Sequence, residues 1–126
     1  MRIAFALALS LAAACGGSSS NPDAAGSSTD AKPAEVEVVS CTGVTPVQTI
    51  TVTNVPFAYS PATATINVGD VVHFSPTASH PTSSGAGGTP DNKFHVGADA
   101  CLKFTKAGTY PFFCEPHGFT GTITVQ

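Results

Sequence analysis

The sequence predicts an all-β domain, a sandwich or barrel of short strands with antiparallel character, and three observations predict it. Polar and apolar residues alternate at period two through residues 49–53, 63–68, 103–105 and 122–125, the pattern of strands with one face in a core. Turn signals fall between such stretches at short intervals: Gly69-Asp70 precedes Val71-Val72-His73-Phe74, and Lys106-Ala107-Gly108 precedes Thr109-Tyr110-Pro111-Phe112-Phe113-Cys114. Gly, Pro, Ser and Thr interrupt every longer window, so no helix of useful length is expected.

Taken from the N-terminus, residues 1–14 read as an export signal: Met1-Arg2, then an apolar run ending in Ala12-Ala13-Ala14. The run falls short of the roughly 20 residues a membrane-crossing helix needs. Leu11-Ala12-Ala13-Ala14-Cys15 resembles a bacterial lipoprotein signal, in which Cys15 is lipidated and becomes the mature N-terminus. The alternative is an ordinary secretory signal that leaves Cys15 a free thiol, a liability in an oxidising compartment. The expected location is therefore the bacterial periplasm or cell surface, tethered to a membrane through Cys15, with secretion as the alternative. Residues 15–34 then form a tether, because a stretch made almost wholly of Gly, Ser, Ala, Thr, Asn, Asp and Pro buries too little apolar surface to order itself.

Residues 35–126 form one domain with room for one modest core. Residues 36–39 add a first strand to those named above. Ile50, Val52, Ile66, Val68, Phe74, Leu102, Phe104, Tyr110, Phe112, Ile123 and Val125 are its expected core. Residues 76–97, rich in Gly, Ser and Pro, are expected to form a surface excursion that leaves the sandwich just after His80 and returns near Lys93-Phe94. His73 alternates with Val72 and Phe74 and is expected to face solvent. Without Arg2 the charges are four Lys against eight Asp and Glu, with no basic stripe. Nucleic-acid binding has no support in that pattern.

The chemistry concentrates at Cys114-Glu115-Pro116-His117. A thiolate and an imidazole three positions apart, on a strand end and a loop stiffened by Pro116, can converge on one metal ion. His80, just beyond the strand at 71–74, is the best placed second imidazole. If Cys15 carries lipid and Cys114 carries metal, Cys41 and Cys101 remain to pair as a disulfide; pairings that use Cys114 stay open and would abolish the site. Cys-x-x-His alone also suits a zinc site, with Asp91 as a fourth ligand, or a buried cysteine beside an ordinary loop histidine. Haem attachment would need a second cysteine upstream, where Phe112 and Phe113 stand.

Gly108-Thr-Tyr-Pro-Phe-Phe-Cys-Glu-Pro-His117, followed by Gly121-Thr-Ile-Thr-Val125 and preceded by Gly69-Asp-Val-Val-His-Phe74, resembles the plastocyanin- and amicyanin-like cupredoxins. The resemblance covers about residues 49–126. It implies a Greek-key β-sandwich that carries one type 1 copper at one end, and outer-sphere electron transfer with redox protein partners; the folded domain is expected to be a monomer. Carried over, it makes His80, Cys114 and His117 the strong ligands of a Cu(I)/Cu(II) site. Relatives place an axial methionine after the downstream histidine, whereas this chain has only Met1. Thr120, or Thr122 under another gapping, occupies that place, and Glu115, Asp91, a carbonyl near Ser79 and His95 are further candidates for a weak or substitute ligand. Pro116 and Phe119, beside His117, form a candidate docking patch. Rival readings are a copper delivery or storage module, an enzyme with an open copper site, a zinc site, and a structural β-sandwich.

Overall fold

A computed structural model describes residues 32–126, so the expectations for the export signal, Cys15 and the tether up to residue 31 lie outside the described residues. Ten strands follow in chain order: β1 (Val36–Val39), β2 (Gln48–Asn54), β3 (Phe57–Ser60), β4 (Thr63–Ile66), β5 (Val71–Ser75), β6 (Thr82–Ala86), β7 (Thr89–Val96), β8 (Ala100–Phe104), β9 (Gly108–Cys114) and β10 (Thr120–Val125). They build two five-stranded sheets, ordered β1-β8-β5-β2-β3 and β4-β10-β9-β6-β7. Both sheets are mixed: β2 runs parallel to β5 and β4 parallel to β10, while the remaining pairs are antiparallel. The parallel pairs arise where the chain changes sheet before it returns. Among the described residues there is no helix, and the result is a cupredoxin-like β-sandwich.

Period-two alternation sends Ile50, Ile66, Val72, Phe74, Leu102, Phe104, Tyr110, Phe112, Ile123 and Val125 between the sheets, where each is buried. Phe112 is a centre of this layer, with ring centroids 4.7 Å from Tyr59 and 5.2 Å from Phe74, both edge-on. Val52 is only partly buried against the core. Val68, expected in the core, is 49% exposed. The alternation stops two residues short of it: β4 ends at Ile66, and the Asp70 carboxylate accepts the Asn67 N–H at 2.8 Å, turning the chain outward before Val68.

Residues 76–97 correct the expected surface excursion. They contain the hairpin β6–β7, whose first strand is an interior strand of its sheet, with Thr82, Ser83 and Ser84 buried. Gly87 and Gly88 both take positive φ, 61° and 78°, as a two-residue hairpin turn that matches strand twist demands. At Gly85, φ is 138° and an added Cβ would collide with the Thr89 carbonyl oxygen, so the register shift between Ser83 and Gly85 needs glycine. The buried hydroxyls are all satisfied. Thr82 Oγ1 pairs with the Tyr59 hydroxyl at 2.7 Å, and Ser84 Oγ donates to Asp91 Oδ1 at 2.5 Å while accepting the N–H groups of Lys93 and Phe94. A polar segment thus sits inside the sheet because distant side chains complete its hydrogen bonds.

Cys41 and Cys101 form a disulfide. Cys101 lies opposite His73 in the β5–β8 register, on the outer face of the first sheet. His73 is half-buried there and contacts Asp99 through Nε2 at 2.8 Å.

Candidate metal centre

Cys114 ends β9. Its side chain continues the inward set of Tyr110 and Phe112, and it is fully buried. Beyond it the chain folds back tightly: the Gly118 N–H donates to the Cys114 carbonyl at 2.8 Å, and the Cys114 N–H donates to the Phe119 carbonyl at 2.9 Å. Gly118 supplies the positive φ, 74°, that this reversal requires. The loop so closed carries Pro116 and His117 at the rim. The Glu115 N–H donates to the carbonyl of Pro81, the residue just before β6, at 3.0 Å, which docks the loop beside His80. His80 is itself held by donation of its N–H to the Thr77 carbonyl at 2.9 Å, and it is 3% exposed.

These three anchored segments bring one thiol and two imidazoles together. His80 Nδ1 and His117 Nδ1 each lie 3.6 Å from Cys114 Sγ and 3.1 Å from one another. An ion bonded to nitrogen at about 2.0 Å and to sulfur at about 2.3 Å holds its ligand atoms a little over 3 Å apart. The donor set and its spacing therefore fit a metal ion, and its soft thiolate with two imidazoles suits copper or zinc. Burial pushes the Cys114 thiol up from its ordinary value; the His117 backbone N–H pulls it partly back, and the Glu115 carboxylate pushes it up again. A bound cation removes that penalty by taking the proton's place.

The other candidates are placed elsewhere. Thr120 and Thr122 pair with Phe113 and Pro111 on the face of β10 opposite to inward Gly121 and Ile123, so strand alternation turns their side chains away from Cys114. Glu115 is exposed and accepts a 2.6 Å hydrogen bond from Ser83 Oγ, with His95 Nε2 at 3.3 Å on its other side. Asp91 is engaged by Ser84; the Ser79 hydroxyl pairs with Thr77 Oγ1 at 2.9 Å, which leaves the backbone carbonyl near Ser79 as a candidate. Among the described residues, the cluster at this end holds His80, Cys114 and His117, and neither Glu115, Asp91 nor His95 joins it.

The structure adds Phe57 to the site. Its ring stands 5.1 Å from His80 and 4.7 Å from His117, and Phe119 lies 5.6 Å from His80. The only sequence sign is the short alternation Phe57-Ala-Tyr59-Ser, hemmed in by Pro56 and Pro61. Ser83, which orients Glu115, was hidden in the supposed excursion.

Comparisons with known proteins agree with this geometry. The profile for copper binding proteins of the plastocyanin/azurin family matches residues 31–126. Pseudoazurin from Methylorubrum extorquens is 35% identical over 72 residues, 53% of this chain and 49% of its own length. Plastocyanin from Scenedesmus fuscus is 36% identical over 84 residues, 54% of this chain and 86% of its own. The chain thus spans about half of the matched pseudoazurin and most of the matched plastocyanin. Among solved structures, amicyanin superposes with a TM-score of 0.54 at 20% identity, covering 73% of this chain and 99% of amicyanin, and shows the same fold. Pseudoazurin from Methylobacterium extorquens superposes with a TM-score of 0.50 at 27% identity, over 62% of this chain and 74% of its own. With a family match over the whole described domain and a buried thiol between two imidazoles, this chain belongs to the plastocyanin/azurin family of copper-binding proteins.

Proposed function

We propose that this chain is an exported electron carrier that holds one copper ion on His80, Cys114 and His117, cycles it between Cu(I) and Cu(II), and lacks an axial methionine. The observation that carries the reading is the graded burial of the three ligands. Cys114 is 0% and His80 3% exposed, whereas His117 is exposed at the rim. When bound, copper supplies a one-electron couple. The protein's part is to hold the ligand atoms in place through anchored backbone, keep water from the thiolate, and present one imidazole edge to a partner.

Exposed Pro116 and half-buried Phe119 flank that edge and form the proposed docking patch for a redox protein. Residues 1–14 serve as the export signal, and lipidated Cys15 with the tether to residue 34 holds the domain at a membrane in the periplasm or at the cell surface. The roles of the two carriers whose names appear above, plastocyanin and pseudoazurin, support electron transfer over catalysis.

The test is an absorption and electron paramagnetic resonance spectrum of the full chain after one equivalent of Cu(II). An intense visible thiolate-to-copper band with narrow hyperfine splitting, bleached and restored by reversible reduction, is expected. Folded protein with a free Cys114 and no such band overturns the reading in favour of zinc or a structural role. Copper that binds but is lost on each reduction favours a delivery module.

A further inference from the structure

We propose that Phe57 is a shutter over the metal centre, an apolar ring supplied by the opposite sheet that bars water and small ligands from the coordination position no methionine fills. The inference rests on the copper reading above and deepens it. Phe57 and Tyr59 point to the same side of β3, two residues apart. Tyr59 goes into the core, 4% exposed, and its hydroxyl is bonded to Thr82. Phe57 goes to the rim and stays 46% exposed. Core packing therefore accounts for Tyr59 and leaves Phe57 without that explanation.

What Phe57 touches supplies one. Its ring centroid is 5.1 Å from His80 and 4.7 Å from His117, and those two rings are themselves 4.7 Å apart. A ring that meets both imidazoles lies across the pair. Phe119 completes the wall at 6.3 Å from Phe57, with Tyr59 behind it at 4.7 Å. Beneath this wall His80 and Cys114 are almost sealed although they sit at the open end of the sandwich.

The polar side chains that could have closed the site instead are engaged or turned away. Glu115 is held by Ser83 and His95, Asp91 by Ser84, and Thr120 and Thr122 face the other side of their sheet. Access control then falls to Phe57. An approaching anion or water must give up hydration against a surface that returns no hydrogen bond, which disfavours entry.

The test uses the full chain as wild type, Phe57→Ala and Phe57→Leu, each checked for an unchanged near-ultraviolet circular dichroism spectrum. In the metal-free chain, iodoacetamide labelling of Cys114 is followed on its own peptide by mass spectrometry. Phe57→Ala is expected to label about tenfold faster than wild type and Phe57→Leu no more than about twofold faster, since thiol reactivity follows access. In the Cu(II)-loaded chain, azide is expected to perturb the thiolate band and the paramagnetic spectrum of Phe57→Ala and to leave wild type unchanged. Equal labelling of wild type and Phe57→Ala, or equal response of both to azide, overturns the shutter while the copper band survives. A wild-type chain with no thiolate-to-copper band overturns the copper reading and the shutter's role with it.

Discussion

At Cys114, burial acts in two opposite directions. Without a metal it disfavours the thiolate and raises the thiol above its ordinary value; with a cation beside it, the same exclusion of water strengthens the bond to sulfur. The metal-free chain is therefore expected to label at Cys114 with a pH midpoint above that of an exposed thiol, and added Cu(II) to abolish labelling at neutral pH with release of a proton. The sign also bears on stability. A raised acid pKa favours the neutral folded form, so this contribution is complete below the unfolded thiol value and is lost as pH rises through the folded one. A labelling midpoint at or below that of a free thiol would contradict the account. Replacing the sulfur isolates its role: Cys114→Ser should eliminate the thiolate-to-copper band and cost the metal-free fold only about 1–3 kcal/mol, the scale for burying a hydroxyl. Urea unfolding beside the copper spectrum separates the two effects.

Among the strands, those with clean alternation were legible before any coordinates. β2, β5, β9 and β10 lie where period two puts them, because each sends alternate side chains into the core. The ligand pair at 114 and 117 was equally legible, since the strand that carries Cys114 and the turn that carries His117 are contiguous in sequence. The hairpin β6–β7 was not. Thr82-Ser83-Ser84-Gly85 has no apolar periodicity, and the partners that make its burial tolerable, Tyr59, Glu115 and Asp91, are set by tertiary structure. Phe57 was hidden for the same reason, because its neighbours His80 and His117 come from the other side of the sandwich. Glycine identity is where this hairpin is most exposed to mutation. Gly85→Ala combines a left-handed φ with a collision against the Thr89 carbonyl, so a loss of about 2–3 kcal/mol is expected in denaturant unfolding. Gly121→Ala should cost as much in β10, where a Cβ would enter the Phe112 ring and meet the Ala62 carbonyl. A change under half a kcal/mol at either position would show that the close packing there relaxes freely, on the order of an ordinary surface substitution.

Across the whole domain, stability and the site are held by different parts. Glu35, just ahead of β1, reaches Lys106 at 2.8 Å and Lys93 of the other sheet at 3.4 Å, so one carboxylate ties the two sheets near the chain's entry. The Lys106 hydrogen bond, helped by Lys93, lowers its pKa from 4.5 to about 2. This contribution is present above the unfolded carboxylate value and is lost as pH falls through about 2. Glu35→Gln should flatten that part of the acid-unfolding curve and leave the neutral-pH spectrum of the copper site unchanged. The disulfide gives the sharper test of the separation. Cys41 and Cys101 are 60 residues apart in sequence, and closing a loop of that length restricts the unfolded chain by about 4 kcal/mol in the chain-entropy description. Their bridge lies on the outer face of the first sheet, beside His73, whereas Cys114 and His117 are fixed by backbone hydrogen bonds within their own loop and to Pro81 and Phe119. The double variant Cys41→Ser, Cys101→Ser should therefore lower unfolding free energy by about 3–5 kcal/mol while the folded fraction keeps the wild-type thiolate-to-copper spectrum. A shifted spectrum in a fully folded double variant would mean that the outer face of one sheet helps set the ligand geometry at the far rim, and that the sandwich does not insulate its site from its staple.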